Sequence, residues 1–349
     1  MNGSFRKYHI LAPLALLYRT VTSVRNRFYD SGLFKSHSFP FPVISIGNIT
    51  VGGTGKTPHT QYLVSLLGAG NDIAVLSRGY GRCTEGFIRA DDTSDSRTIG
   101  DEPLQIHTQF PQITVAVDED RAHGLQILSG EHTPKAVILD DAFQHRRVTP
   151  SLNILLTDWN RIILDDMVMP AGRLRESASG RKRAHVIIVT KCPSDLDNAS
   201  MERIASELAV TNEQKVFFST LSYSDIVPMC PGTPFPEDGP VLALTGIAQP
   251  DQMVNHLEKT GRQVSLLRFP DHHRYDMADI RKIEATLDSM PQGSVIVTTC
   301  KDESRLASVE LPESLRKRIF VLPVNVEFIR DGQEFDRLVT NHVESFKQA

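Results

Sequence analysis

Cysteine is scarce in this 349-residue chain, and its four thiols are scattered. Cys83, Cys192, Cys230 and Cys300 stand 109, 38 and 70 residues apart. No CxxC or CxH spacing exists to build a zinc ribbon, and a disulfide framework is unsupported. Four separated thiols in a chain this long fit a reducing compartment. A surplus of positive charge is also missing. The 38 Lys and Arg residues face 42 Asp and Glu, for a formal net charge of −4; nucleic-acid binders carry a marked basic excess, so no nucleic-acid partner is expected. The longest apolar stretch, Ile10 to Tyr18, has nine residues, far short of the roughly 20 that span a bilayer. Internal repeats and low-complexity tracts are absent, and a composition 40% hydrophobic and 23% charged excludes wholesale disorder.

The charge balance hides one local imbalance. Residues 1–35 carry Arg6, Lys7, Arg19, Arg25, Arg27 and Lys35 against the single acid Asp30. Arg6-Lys7 followed by the Ile10–Tyr18 run imitates a signal peptide, but Pro13 interrupts the run and arginines stand where a small-residue cleavage site belongs. On a helix, Ile10, Leu14, Leu17, Val21, Val24 and Phe28 form one continuous apolar stripe. The segment by itself favours a helix packed on the protein's own core; the alternative is an amphipathic helix lying in a membrane interface, its arginines beside anionic headgroups.

From residue 42 onward, apolar and β-branched runs alternate with helix-length segments. Runs at Val43–Ile46, Ile73–Leu76, Ile113–Val117, Ala136–Leu139, Asn153–Leu156 and His185–Val189 predict a mostly parallel sheet with helices on both faces. Five prolines within residues 227–240 mark that segment as a linker. Strand-and-helix alternation then resumes from Val241, enough for a second, smaller α/β unit. The expected division is therefore a basic amphipathic segment (1–35), a nucleotide-binding domain (36–226), a Pro-rich linker (227–240) and a smaller domain closing the cleft (241–349).

The strongest local signal runs from Val43 to Pro58, where a buried strand enters the turn Gly52-Gly53-Thr54-Gly55 and opens a helix at Lys56-Thr57. Glycines let backbone N–H groups converge on phosphate oxygens, and the helix N-terminus adds positive potential. Lys56 would reach the β- and γ-phosphates and the Thr57 hydroxyl would ligate Mg²⁺. The strict phosphate-loop pattern has Gly where this chain has Thr50. Four apolar residues ending in Asp140-Asp141 supply the carboxylates that such a loop needs on its metal side. These two motifs imply a nucleotide with magnesium, and leave motor, switch, metallochaperone and kinase open.

Motifs that the generic fold does not require narrow the choice. Leu76-Ser-Arg-Gly-Tyr-Gly-Arg82, Ile99-Gly-Asp-Glu-Pro103, Leu139-Asp-Asp-Ala-Phe-Gln-His-Arg146, Gly172-Arg-Leu-Arg-Glu176 and Phe269-Pro-Asp-His-His273 occur together and in this order. With Gly-Gly-Thr-Gly-Lys-Thr-Pro they closely resemble the tetraacyldisaccharide 4′-kinase family, over nearly the whole chain. That family's own loop shares the Thr50 departure; Ala142 stands where the family usually has Gly, which is tolerable if φ is negative there.

The resemblance implies a P-loop lipid kinase that moves the γ-phosphoryl group of ATP to the 4′-hydroxyl of an acylated glucosamine disaccharide 1-phosphate, giving lipid IVA in lipid A biosynthesis. It assigns Asp101 and, of the adjacent His272 and His273 between which the residues alone do not decide, His272 as the catalytic pair, with a helix N-cap as the plain alternative for Asp101 and exposed loop residues as that for the histidines. It places nucleotide on Asn48, Thr50, Gly52, Gly53, Thr54, Gly55, Lys56 and Thr57, and metal on Thr57, Asp140, Asp141 and Glu176. Substrate or phosphate contacts fall to Arg78, Tyr80, Arg121, Gln144, His145 and Arg175; a surface ion pair is the plain fate of each arginine. An acylated acceptor cannot leave the bilayer cheaply, which turns the stripe of residues 10–28 towards the inner membrane on its cytoplasmic face. No obligate protein partner is implied. The other reading kept open is a nucleotide-driven switch or chaperone acting on a protein or metal partner.

Overall fold

Aliphatic runs such as Val43–Ile46 and Ala136–Leu139 have no polar face, so they are stable only in a sheet covered on both sides. The structure, a computed structural model, describes residues 2–70, 72–131, 133–247, 250–271 and 273–346. A long helix α1 (Asn2–Asp30) precedes β1 (Val43–Asn48), α2 (Lys56–Gly68), β2 (Ile73–Ser77), β3 (Ile88–Arg89), α3 (Asp101–Gln109), β4 (Thr114–Val117) and α4 (Arg121–Glu131). Next come β5 (Ala136–Asp140), β6 (Leu152–Asp158), β7 (Val186–Thr190), α5 (Asn198–Leu208) and β8 (Lys215–Tyr223). They are followed by β9 (Val227–Pro228), β10 (Val241–Thr245), α6 (Asp251–Lys259), β11 (Val264–Arg268), α7 (Met277–Asp288) and β12 (Val295–Thr299). The last elements are α8 (Cys300–Leu306), α9 (Glu313–Arg316), β13 (Ile319–Leu322), β14 (Val324–Arg330) and α10 (Gly332–Glu344).

Two sheets result. The larger has nine strands in the order β14-β8-β7-β6-β1-β5-β2-β4-β3. It is parallel from β8 to β4, with antiparallel partners only at its edges, β14 and β3. The smaller runs β11-β10-β12-β13-β9 and is parallel except for β9. The expected α/β class with a mostly parallel main sheet is what the chain adopts. Between β5 and β6 the chain passes from one side of β1 to the other, so the loops at the carboxyl end of β1 diverge and leave a crevice for a ligand.

The boundaries between the units differ from those the composition suggested. Val227–Pro228 pairs with β13, Met229 is buried in the smaller unit's core, and Phe235 packs edge-on against Phe320. The proline-rich segment is therefore part of the smaller unit; Pro228 sits on an edge strand, where a missing N–H does little harm. The chain also returns: β14 pairs with β8, Val324 opposite Tyr223, and α10 buries Phe335, Val339 and Val343 in the larger unit's core beside Phe217. At about 2 kcal/mol for each large buried side chain, that return contributes substantially to the first unit. The smaller unit is thus an insertion of residues 227–322 rather than a C-terminal domain.

Helix α1 turns the apolar stripe outward. Leu14, Leu17, Val21, Val24 and Phe28 are 37% to 63% exposed, while the side chain of Ile10 lies outside the described ones. The opposite face holds the body: Ala15 is buried and Tyr18 packs against the cluster around Leu155 and Ile187. Asn26 donates to Glu176 Oε2 at 2.7 Å, Arg25 to the Gln144 carbonyl at 3.2 Å, and Arg146 pairs with Asp30 at 2.7 Å. No helix among the described residues is long and apolar enough to cross a membrane.

Candidate active site

The loop after β1 is braced from three sides before any ligand is considered. Asn48 Nδ2 donates to Thr54 Oγ1 at 2.7 Å, the Thr190 hydroxyl at the end of β7 donates to the Thr54 carbonyl at 2.9 Å, and Thr50 bridges to Leu174. The backbone N–H groups of Val51 and Arg175 donate to the carbonyls of Arg173 and Ile49 at 2.8 and 2.7 Å, so Gly172–Glu176 forms a wall of the loop. Gly55 caps α2 at φ 81°, a left-handed conformation that a side chain would strain. Beneath it, fully buried His59 donates from Nδ1 to the Gly55 carbonyl at 2.7 Å and accepts from the Ser219 hydroxyl at 2.9 Å.

At the mouth of this loop, acids and cations from distant segments meet. Lys56 Nζ lies 3.7 Å and Arg175 Nη1 3.5 Å from Asp141 Oδ2, and Arg121 Nη2 donates to the Asp141 carbonyl at 3.3 Å. Asp141 itself stands at φ 49°, so the left-handed residue of this turn is the aspartate, which tolerates it. Ala142 has no positive φ, and the departure from Gly is harmless. Asp140 Oδ1 accepts from the Thr60 hydroxyl at 2.8 Å. Burial, then the charges of Glu102 and Asp141, push the Asp140 carboxyl above its ordinary range. Burial likewise pulls Arg121 below its ordinary value, against the attraction of Asp141.

Glu102 is the member that motif reading passed over. Its Oε1 accepts from the Thr57 hydroxyl at 3.1 Å and from Lys301 Nζ at 2.6 Å. Burial works to raise its pKa, but Lys301 and Lys56 outweigh that and hold it below the ordinary carboxylate range. Asp101 is the first residue of α3, with Gly100 as the cap and no side-chain cap bond. The N-cap reading of Asp101 is therefore incorrect; its Oδ2 accepts from Arg305 Nε at 2.8 Å instead. The turn ahead of α3 is tight: a Cβ on Gly100 would lie 2.9 Å from the Tyr80 carbonyl oxygen, which ties Ile99-Gly-Asp to the Ser77–Arg82 loop.

Glu176 has protein partners of its own. Its two oxygens are taken by Asn26 at 2.7 Å, by Arg183 at 2.8 Å and by Gln144 at 3.3 Å, which fastens α1 to the loop wall. An acid already neutralised by a neighbouring guanidinium serves as a strut. Gln144 also donates to the Asn48 carbonyl at 2.6 Å. His145 lies 3.6 Å from Asp120, and burial followed by the charge of Arg121 lowers it to about 4. Arg78 is exposed, close enough to Arg121 for its charge to be felt there, and Tyr80 is 76% exposed. His272 lies outside the described residues. His273 is committed to its own unit, with Nε2 2.8 Å from Asp279 and the ring stacked on Phe269.

A sequence profile of tetraacyldisaccharide-1-P 4′-kinase matches residues 8–344. The chain belongs to the tetraacyldisaccharide 4′-kinase family. It is 41% identical to the tetraacyldisaccharide 4′-kinase of Phocaeicola vulgatus over 98% of this chain and 97% of that one. It is also 41% identical to that of Flavobacterium psychrophilum, over 96% of each. Among solved structures, the LpxK of Aquifex aeolicus, crystallised in complex with ATP, matches with a TM-score of 0.75 at 28% identity, covering 96% of this chain and 98% of that one. Members of this kinase family phosphorylate a lipid A precursor, and the chain is an ATP-dependent kinase of that kind. The nucleotide-driven switch or chaperone is thereby set aside. Within the kinase, Lys56, Asp140, Asp141, Arg121 and Arg175 gather at the phosphate loop, and Asp101 and Glu102 meet Arg305 and Lys301 across the contact between the two units.

Proposed function

We propose that this kinase transfers the γ-phosphoryl group of ATP to the 4′-hydroxyl of a tetraacyldisaccharide 1-phosphate at the mouth of the 48–57 loop. The observation that carries the reading is the convergence of Lys56, Arg121 and Arg175 on Asp141, beside Thr57, Asp140 and Glu102. Phosphoryl transfer asks for positioning and charge neutralisation more than covalent chemistry. The loop's backbone N–H groups and Lys56 hold the β- and γ-phosphates, and Arg121 and Arg175 neutralise charge on the transferred group. Asp101 accepts the proton of the attacking hydroxyl as that oxygen bonds to phosphorus and the bond to ADP breaks; His272 supports it.

The donor set suits Mg²⁺. The Thr57 hydroxyl and the carboxylates of Asp140, Asp141 and Glu102 are hard oxygen ligands, and the buried Asp141 Oδ1 has no hydrogen-bond partner among the described residues. No group of three or more His, Cys, Asp and Glu side chains among the described residues could hold a metal ion by itself; Mg²⁺ takes one or two carboxylates and completes its shell with phosphates and water. Held by Thr57 and these carboxylates, the ion would supply positive charge against the phosphate oxygens. Asn48, Thr50 and Gln144 shape the loop; Arg78, Tyr80 and His145 are assigned to contacts with the acceptor.

The outward stripe of α1, with its basic flanks, supports peripheral attachment to the cytoplasmic face of the inner membrane, where the acylated acceptor resides. The test is mass analysis of product after incubation with Mg-ATP and a lipid A disaccharide 1-phosphate. A gain of one phosphate is expected, with ATP turnover dependent on the lipid; equal ATP turnover with and without the lipid would overturn the reading.

A further inference from the structure

The first turn of α3 carries two consecutive acids, and the inserted unit answers each with a base one turn apart on α8. Lys301 meets Glu102, and Arg305 meets Asp101. The two contacts are built differently. The Lys301–Glu102 pair is partly exposed, at 30% and 27% for the two side chains, whereas the Arg305 side chain is 2% exposed. From behind, Arg305 Nη1 donates to the Gly246 carbonyl and to Asp302 Oδ1, each at 3.0 Å. Asp302 is itself fully buried, and accepts from the Gly246 N–H at 3.0 Å and from the hydroxyls of Thr299 and Tyr275 at 2.8 and 3.3 Å. A Cβ at position 246 would come within 2.9 Å of Asp302 Oδ1.

Burying a guanidinium this completely carries a desolvation cost that well-packed apolar side chains would not. Holding two units together is therefore a poor reason for it. What the arrangement supplies is a charged donor of fixed direction, delivered to Asp101 Oδ2 by a scaffold that leaves the guanidinium little freedom.

We propose that Arg305 is a positioning residue of the kinase reaction: through it, the inserted unit orients the Asp101 carboxylate for the proton that it accepts. This rests on the assignment of Asp101 made above. The nearer a base is held to its productive geometry, the more of the barrier is removed before the reaction begins, and a displacement of about 1 Å costs on the order of 10²-fold in rate.

The test uses the full-length enzyme in mixed micelles with Mg-ATP and the lipid A disaccharide 1-phosphate. Arg305→Met is expected to lower kcat by on the order of 10²-fold while KM for ATP and for the lipid stay within about twofold. Arg305→Lys should restore part of kcat, since it keeps the charge without the fork. Because Arg305 is buried, melting temperature and affinity for a non-hydrolysable ATP analogue are recorded for each variant. The deciding measurement is a double-mutant cycle. In an Asp101→Asn background, Arg305→Met should cost less than about twofold, because the residue it positions is gone. The same large cost in both backgrounds, or wild-type kcat in Arg305→Met, overturns the proposal. Should Arg305→Met fail to fold, the cycle is run with Arg305→Lys under the same criterion. Wild-type turnover in Asp101→Asn would defeat the assignment of Asp101 and this proposal with it. Loss of turnover there, with none in Arg305→Met, would defeat this proposal alone.

Discussion

Burial and the charges of Glu102 and Asp141 push the Asp140 carboxyl upward, and that shift has a consequence for stability. The folded chain holds the Asp140 proton at a pH where the unfolded chain has already released it. Asp140 therefore subtracts stability progressively as pH rises above about 4. With EDTA present, Asp140→Asn should raise the melting temperature at pH 8 while abolishing turnover; a variant no more stable than wild type at pH 8 would refute this. His59 shows the opposite sign. Burial holds its folded pKa at about 4, below the ordinary imidazole value of 6.5. Its contribution is fully present above pH 6.5 and is lost as pH falls towards 4, amounting to about 3 kcal/mol. His59→Gln should flatten the acid limb of stability measured by guanidinium melts at pH 7, 5.5 and 4.5, and unchanged slopes would refute it. At this scale the sequence showed the phosphate loop and Asp140-Asp141, but the partners of two acids were decided by the fold. Glu176 sits in a motif, yet only the fold shows Arg183 and Asn26 bonded to it; Glu102 lies in the Ile99–Pro103 motif, and only the fold brings Thr57 and Lys301 to it.

Among the elements, α1 separates periodicity from direction most clearly. Its pattern predicted an apolar stripe at 10–28, and two surfaces could have received that stripe. The structure gives the packed face to Ala15, Tyr18 and Asn26 and leaves Leu17 and Val21 in solvent. Leu17→Glu with Val21→Glu should accordingly leave the melting temperature unchanged, since neither side chain supports the core. Binding to vesicles of anionic phospholipid should fall by tenfold or more, at about 0.8 kcal/mol for each methylene no longer buried. Cosedimentation checks this; undiminished binding would return the stripe to the role of an ordinary exposed surface. Val326 and Phe328 alternate along β14, and Phe335, Val339 and Val343 share one face of α10. Nothing local in them names β8 as the partner.

For the whole molecule, the insertion of residues 227–322 between two paired strands makes a distinctive prediction. Val324 lies opposite Tyr223 in the β8–β14 ladder, so a two-residue Asn-Gly turn replacing residues 224–323 should close that ladder as a hairpin. The product should fold and bind an ATP analogue, yet transfer no phosphate, having lost the α8 contacts to Asp101 and Glu102. Ending the chain at Leu322 should do more damage, because it removes Phe335, Val339 and Val343 from the larger unit's core. Circular dichroism and analogue binding would separate the two products, and a well-folded truncation at Leu322 would refute the topology argument. The amino-acid sequence by itself determined the kind of most long elements, the parallel α/β class, the phosphate loop and the resemblance to a kinase family, because periodicity, turn chemistry and short motifs are written in contiguous residues. The tertiary structure alone decided which sheet the last strand joins, which face of α1 meets solvent, and that Lys301 and Arg305 meet Glu102 and Asp101 beside Thr57. Those are choices between partners up to 200 residues apart, made by which apolar surfaces can be buried together and which buried charges can find an opposite.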